Sequence, residues 1–271
     1  MLEDVPFTIS HLAAVVPLRS GRTRVEALPT APLVIGAMVP DLPAVLGAAD
    51  LRPATHTGPF ALVLDLVLTA VVWCAWVAAV RPAVVATLPG LAARWHPVPR
   101  RRPAVVWWVA AAVVGAASHL LWDACTHSGE GTTWFEAFAG QERVFFVLQL
   151  ASSAVGLLVV LAWVRQWWLR TPVTAAVAER RPWLPRRLAA AVVLLGVVGG
   201  GIWRWQHAAS QTSGPASGSL TVGEVVFGTL AGALLAVAVL TTAFWVRRWL
   251  VEAPSDDEVE RREPTSEQVP G

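Results

Sequence analysis

The sequence predicts an all-α fold: a polytopic helical membrane protein of about five transmembrane helices, preceded by an N-terminal interfacial or re-entrant helical segment. Three observations predict it. Hydrophobic residues fill 55% of the 271 positions, and the 20 glycines raise the apolar share to about 62%, against roughly 45–50% in soluble domains. Charged residues make up 15%, where about 25% is usual. Five apolar runs reach or approach the roughly 20 residues that a helix needs to cross a bilayer.

The chain opens acidic (Met1, Leu2, Glu3, Asp4), with no basic region ahead of an apolar core, so no signal peptide is expected. Residues 31–48 are apolar but broken by Pro40, Asp41 and Pro43, the pattern of a re-entrant or interfacial segment. Spans are expected over 60–80, 104–124, 145–164, 188–203 and 222–246. The fourth is short and rich in glycine (Gly199, Gly200, Gly201). From Pro254 onward the chain is polar, acidic and punctuated by proline, which predicts disorder. The organisation is therefore an N-terminal segment (1–58), a helical bundle (59–250) and an acidic tail (251–271).

Arginines orient the spans. Arg81, Arg94, Arg100, Arg101 and Arg102 follow the first, and Arg165, Arg170, Arg180, Arg181, Arg186 and Arg187 follow the third. Those loops should be cytoplasmic, which puts the C-terminal tail inside and the N-terminal segment on the extracytoplasmic side of a bacterial inner membrane. Trp107, Trp108, Trp163, Trp167, Trp168, Trp245 and Trp249 fall at the cytoplasmic ends, as an aromatic belt would. The net charge of +2 hides a body more basic than the tail, which carries seven acids and two arginines from Glu252 onward. Arginines beside apolar spans are explained by orientation, so no nucleic-acid partner is expected. Cys74 and Cys125 lie roughly 20 Å apart in depth, at 1.5 Å per residue, and should not pair.

The polar residues left over carry the chemistry. In Ser118-His119-Leu120-Leu121-Trp122-Asp123-Ala124-Cys125-Thr126-His127, His119 and Asp123 share one helix face, and His127 lies a turn further on. His11, Asp41 and His56 are distant in sequence, yet the topology places them on the same side of the membrane. Nitrogen and oxygen donors of this kind suit zinc, manganese or iron, with a carboxylate able to bridge. A hydrogen-bonded His/Asp pair that holds helices together is the competing reading. Asp65, Gln149 and Glu224 lie at a similar depth and are candidate partners for the second ring nitrogen of a metal-bound histidine. His96 and His207 read as solvated.

Pro6 to Val15, Ile35 to Asp41, Thr55-His56-Thr57, His119 to His127 and Leu148 to Ser153 with Gly156 resemble the signature blocks of the bacterial membrane family known as domain of unknown function 4184, over roughly residues 5–250. More distantly, the order His, Asp, His, then His-x3-Asp resembles the membrane-bound metal-dependent hydrolases and the zinc-dependent phospholipase C group. That likeness implies one metal held by Asp41, His56, His119 and Asp123, and a second held by His11 and a bridging Asp123.

The expected function is metal-dependent hydrolysis of an ester or phosphodiester, lipids among the candidates, at the extracytoplasmic face. One or two divalent ions, zinc first, would be held by His11, Asp41, His56, His119, Asp123 and His127. Asp41 or Glu130 would take the proton. The alternative is a non-catalytic transport or assembly component whose His/Asp cluster is structural or carries protons.

Overall fold

The computed structural model describes residues 8–16, 28–58, 60–95, 104–126, 142–174, 181–211 and 217–252, and among them every regular element is helical. The N-terminal segment is a chain of short pieces. A 3₁₀ turn (Thr8–His11) leads into α1 (Leu12–Val15), and α2 (Thr30–Gly36) is followed by a 3₁₀ turn (Val39–Asp41) and α3 (Leu42–Val45). A further turn (Ala49–Leu51) leads into α4 (Arg52–His56). Pro40, Pro43 and Pro53 each sit in a first turn, where the missing N–H costs nothing. They also keep each piece too short to span, as the broken apolar run predicts.

Among the described residues, five helices are long and apolar enough to cross a membrane: Ala61–Thr87, Val105–Thr126, Val147–Arg170, Arg186–Ser210 and Gly223–Val251. The first joins α5 (Ala61–Ala75) to α6 (Arg81–Thr87) through a π turn (Trp76–Val80). Pro82 lies two residues beyond it, and a widened turn accommodates a ring that would meet the preceding turn's carbonyl in a regular helix. The short α7 (Pro89–Trp95) precedes α8 (Val105–Thr126) and α9 (Glu142–Arg170), and the chain closes with α10 (Arg186–Gln211) and α11 (Ser217–Glu252). The fourth span is thus longer than the 188–203 expected from its apolar run.

Lipid-facing and buried faces separate cleanly on α5. Val63, Val67 and Val71 are exposed, whereas Ala61, Asp65 and Thr69 form a buried stripe at four-residue spacing. Between α10 and α11 the backbones touch. A Cβ on Gly196 or Gly200 would overlap the carbonyl oxygens of Gly232 and Gly228, and the converse holds for Gly228 and Gly232. Close backbone approach is what drives helix pairing in lipid, where burying apolar side chains gains little. At one end of this hairpin Arg204 Nε lies 2.7 Å from Glu224 Oε2, and its guanidinium also reaches the Ala44 carbonyl oxygen at 3.3 Å. Both cysteines are free.

A second, tryptophan-rich layer gathers the helix ends. Arg94 stacks 3.8 Å over the Trp168 ring, Trp183 Nε1 donates to Thr87 Oγ1 at 2.6 Å, and Trp245 Nε1 donates to the Ala79 carbonyl oxygen at 3.1 Å. Indole N–H groups thus find acceptors within the protein while their rings cover apolar surface.

Candidate metal centre

Asp41, His56, His119 and Asp123 converge, with one donor atom from each lying within 4.8 Å of all the others. Their side chains are sealed from solvent, at 0–2% exposure. His56 Nε2 lies 3.5 Å from Asp41 Oδ1 and 3.4 Å from Asp123 Oδ2. His119 Nε2 lies 3.5 Å from the same Asp41 oxygen and 3.4 Å from the same Asp123 oxygen. These separations exceed the usual N–H···O range of about 2.7–3.2 Å. The four N–O separations are close to the roughly 3.4 Å expected between donors that share an ion at about 2.1 Å, and the other two pairs lie within 4.8 Å. The four residues therefore form a group that could hold a metal ion.

The far side of each imidazole points the same way chemically. His119 Nδ1 donates to the Ala37 carbonyl oxygen at 2.9 Å, and His56 Nδ1 faces the Arg52 carbonyl oxygen at 3.2 Å. A carbonyl oxygen only accepts, so both rings carry a proton on Nδ1 and turn Nε2 into the cluster, where its lone pair is free for an ion once any second proton has left. That tautomer, fixed by an outer partner, is the one a metal ligand needs. Backbone carbonyls fill the role for which Asp65, Gln149 and Glu224 were candidates.

Local sequence explains how the donors arrive. Asp41 ends the Val39–Asp41 turn and His56 ends α4. Thr55 ties the two together: its hydroxyl donates to the Pro40 carbonyl oxygen at 2.8 Å and stands 3.0 Å from His56 Nδ1 as an acceptor. His119 and Asp123 are i and i+4 on α8, both on its buried face. Two glycines let α2 lie against that face. A Cβ on Gly36 would overlap the Ala112 carbonyl oxygen, and one on Gly115 would overlap that of Leu33. Thr55, Gly36 and Gly115 are thus site-building residues that spacing arguments missed; the Thr-His-Thr triplet around His56 was the one visible hint.

His11 stands beside the group of four. Its Nε2 lies 3.4 Å from Asp123 Oδ1, so the two oxygens of Asp123 face different histidines. Its ring stacks on His119 with centroids 4.0 Å apart and planes 23° off parallel. The Thr8–His11 turn is held against α9 where Gly156 faces Ser10; a Cβ there would come within 2.7 Å of the Ser10 side chain. Arg52, a turn before His56, places Nη2 3.4 Å from Asp123 Oδ2 with a fifth of its side chain open to solvent.

Electrostatics follow from this packing. Burial pushes the Asp41 carboxyl up, but the His119 charge, contacts with His119 and His56 and the His11 charge outweigh it and hold Asp41 well below the usual carboxylate range. Burial pushes the His56 imidazole down, but the Asp123 and Asp41 carboxylates outweigh it, against a smaller opposing effect of Arg52, and hold His56 above its ordinary value.

Of the expected site residues, His11, Asp41, His56, His119 and Asp123 meet. His127 and Glu130 lie outside the described residues, as does His96. Glu224 does not join the cluster, because Arg204 engages it. Gln149 is buried on α9, and His207 stacks on Trp203 with centroids 5.7 Å apart.

The chain matches the family described as Domain of unknown function (DUF4184) over residues 5–242, and it belongs to that family. No curated protein and no solved structure matches it.

Proposed function

We propose that this member of the DUF4184 family is a membrane-embedded, metal-dependent hydrolase that acts on an ester or phosphodiester, lipids included, at the outer face of a bacterial inner membrane. The observation that supports the reading is the set of four donor atoms within 4.8 Å of one another, each histidine Nε2 lying 3.4–3.5 Å from one oxygen of Asp41 and one of Asp123. Asp41, His56, His119 and Asp123 would hold the ion. Zinc is the first candidate, since two imidazole nitrogens and two carboxylate oxygens suit it. His11 and the second oxygen of Asp123 offer two donors toward a second ion.

A divalent ion, when bound, supplies a more acidic water and polarises the oxygen of a scissile group. The chain's own groups do the rest. Arg52, the partly exposed cation at the rim, neutralises charge that develops on the substrate oxygens. Asp41 turns the same oxygen to both histidines, which makes it a holder of the ion before it is an acceptor of protons. The enclosed position of the centre excludes bulk water and strengthens every charge interaction within it.

Elemental analysis of the detergent-purified protein tests the reading. About one equivalent of transition metal per chain is expected from a four-donor site, with metal-dependent turnover of an ester or phosphodiester probe. Both should be lost in His119→Ala and Asp123→Ala. Folded wild-type protein that holds no metal would favour the rival reading, a non-catalytic component whose His/Asp cluster is structural or carries protons.

A further inference from the structure

One buried acid is left over once the centre is assembled. Asp65 lies on the buried stripe of α5 with no exposure, and among the described residues neither of its carboxyl oxygens has a hydrogen-bond partner. Thr69, one turn deeper on the same stripe, is equally enclosed, and its hydroxyl also lacks a partner there. A carboxylate closed off from water without a donor is costly as an anion, and so is an unpaired hydroxyl beside it.

The stripe faces the centre. α5 packs against α2, α4, α8 and the Val39–Asp41 turn, the elements that carry or support all four donors. The titratable and charged groups carried by those elements are Asp41 on the turn, Arg52 and His56 on α4, and His119, Asp123 and Cys125 on α8; α2 carries none. His56, His119 and Asp41 all act on Asp65 electrostatically. The Asp41 and Asp123 carboxylates are engaged with the histidines, so Asp65 is the neighbouring carboxylate that remains uncommitted.

We propose that Asp65, supported by Thr69, is a proton-binding site of the centre beside the histidines, holding a proton when the centre is empty of metal and releasing it to solvent when a divalent ion binds. The proposal rests on the metal reading above. With the ion in place the ionised Asp65 accepts a proton from the attacking water: one water O–H bond breaks, an O–H bond forms on the carboxylate, and the water oxygen keeps the electron pair for attack. The proton then passes to the leaving oxygen, which takes the electrons of the broken ester bond. Thr69 donates its hydroxyl hydrogen to the ionised form.

Infrared difference spectra of the full chain in detergent, chelator-stripped against zinc-loaded, test this, with zinc counted in the same samples. Stripped wild-type protein should show the carbonyl band of a protonated carboxylic acid, and zinc should abolish it. Asp65→Asn should lack that band while still binding zinc at the wild-type stoichiometry, and Thr69→Val should shift the band without removing it. With bis(4-nitrophenyl) phosphate as probe, Asp65→Asn should lower kcat at least roughly tenfold and leave KM within about twofold, as loss of a proton acceptor would. Zinc uptake with the acid band unchanged, or with the band retained in Asp65→Asn, overturns the proposal and leaves the metal reading standing. Failure of wild-type protein to take up zinc overturns both.

Discussion

His119 Nδ1 donates to the Ala37 carbonyl oxygen across the α2–α8 contact, at 2.9 Å. The bond exists because Gly36, next to Ala37, and Gly115, one turn before His119, let the two backbones meet without side chains between them. The ring orientation that the centre needs is therefore set by a glycine contact. Gly115→Val should force α2 away from α8, cost about 1–3 kcal/mol of stability by overpacking and weaken metal binding even though no donor is altered. Thermal unfolding and zinc titration of the detergent-solubilised variant check both effects. Zinc affinity equal to wild type would show that the contact does not orient His119.

Thr55 gives a second prediction. It makes no contact suited to a metal, yet its hydroxyl joins the Asp41-bearing turn to the His56 ring. Thr55→Val keeps the shape and removes the hydroxyl, and metal affinity should fall by about 10–100-fold, the range usual for outer partners of metal ligands. Thr55→Ser should recover most of the loss. The comparison is made by competition against a chromophoric zinc chelator.

The pH dependence of metal binding has a definite sign. Because Asp123 and Asp41 hold His56 above its ordinary value, ion-free protein keeps this ring protonated to higher pH than a free imidazole, about 6.5. A metal must displace that proton. Zinc affinity should therefore rise as the pH rises through the raised value and fall on acidification, with calorimetry showing proton release to the buffer. In ion-free protein the His56 contribution to stability runs the other way: it is complete below the unfolded value and lost as the pH climbs through the folded one.

Cys125, exposed near the end of α8 and two residues after Asp123, tests the orientation. A membrane-impermeant maleimide applied to intact cells should label it if the centre faces outward. Cys74, in the middle of the first span, should stay unlabelled. Labelling of Cys125 only in inverted vesicles would place the centre on the cytoplasmic side.

Much of the fold was legible because apolar runs count directly toward a bilayer's thickness. So was much of the centre: in a chain with 15% charged residues, His11, Asp41, His56, His119 and Asp123 stand out, and the structure brings them together. What escaped depends on partners. The fourth span continues to Ser210, past the end of its apolar run, because Arg204 finds Glu224 and the Ala44 carbonyl and can remain helical. That pairing also explains why Glu224, at a suitable depth, serves the hairpin and not the centre. Gly36 and Gly115 were hidden for a simpler reason: spacing within one helix says nothing about which backbone lies against it.

The four donors come from two stretches of chain far apart in the order of synthesis, Asp41 and His56 early, His119 and Asp123 on the second long helix. An N-terminal portion that has left the ribosome and inserted its first span possesses half a coordination set and no means of closing it. Completion waits for α8 to enter the membrane and for α2 to settle in the groove that Gly115 leaves open. On the proposed metal reading, ion uptake would be a late event in biogenesis. A chain that bound its ion would already carry α2 and α8 in register, since a misinserted α8 would keep His119 and Asp123 away from Asp41 and His56.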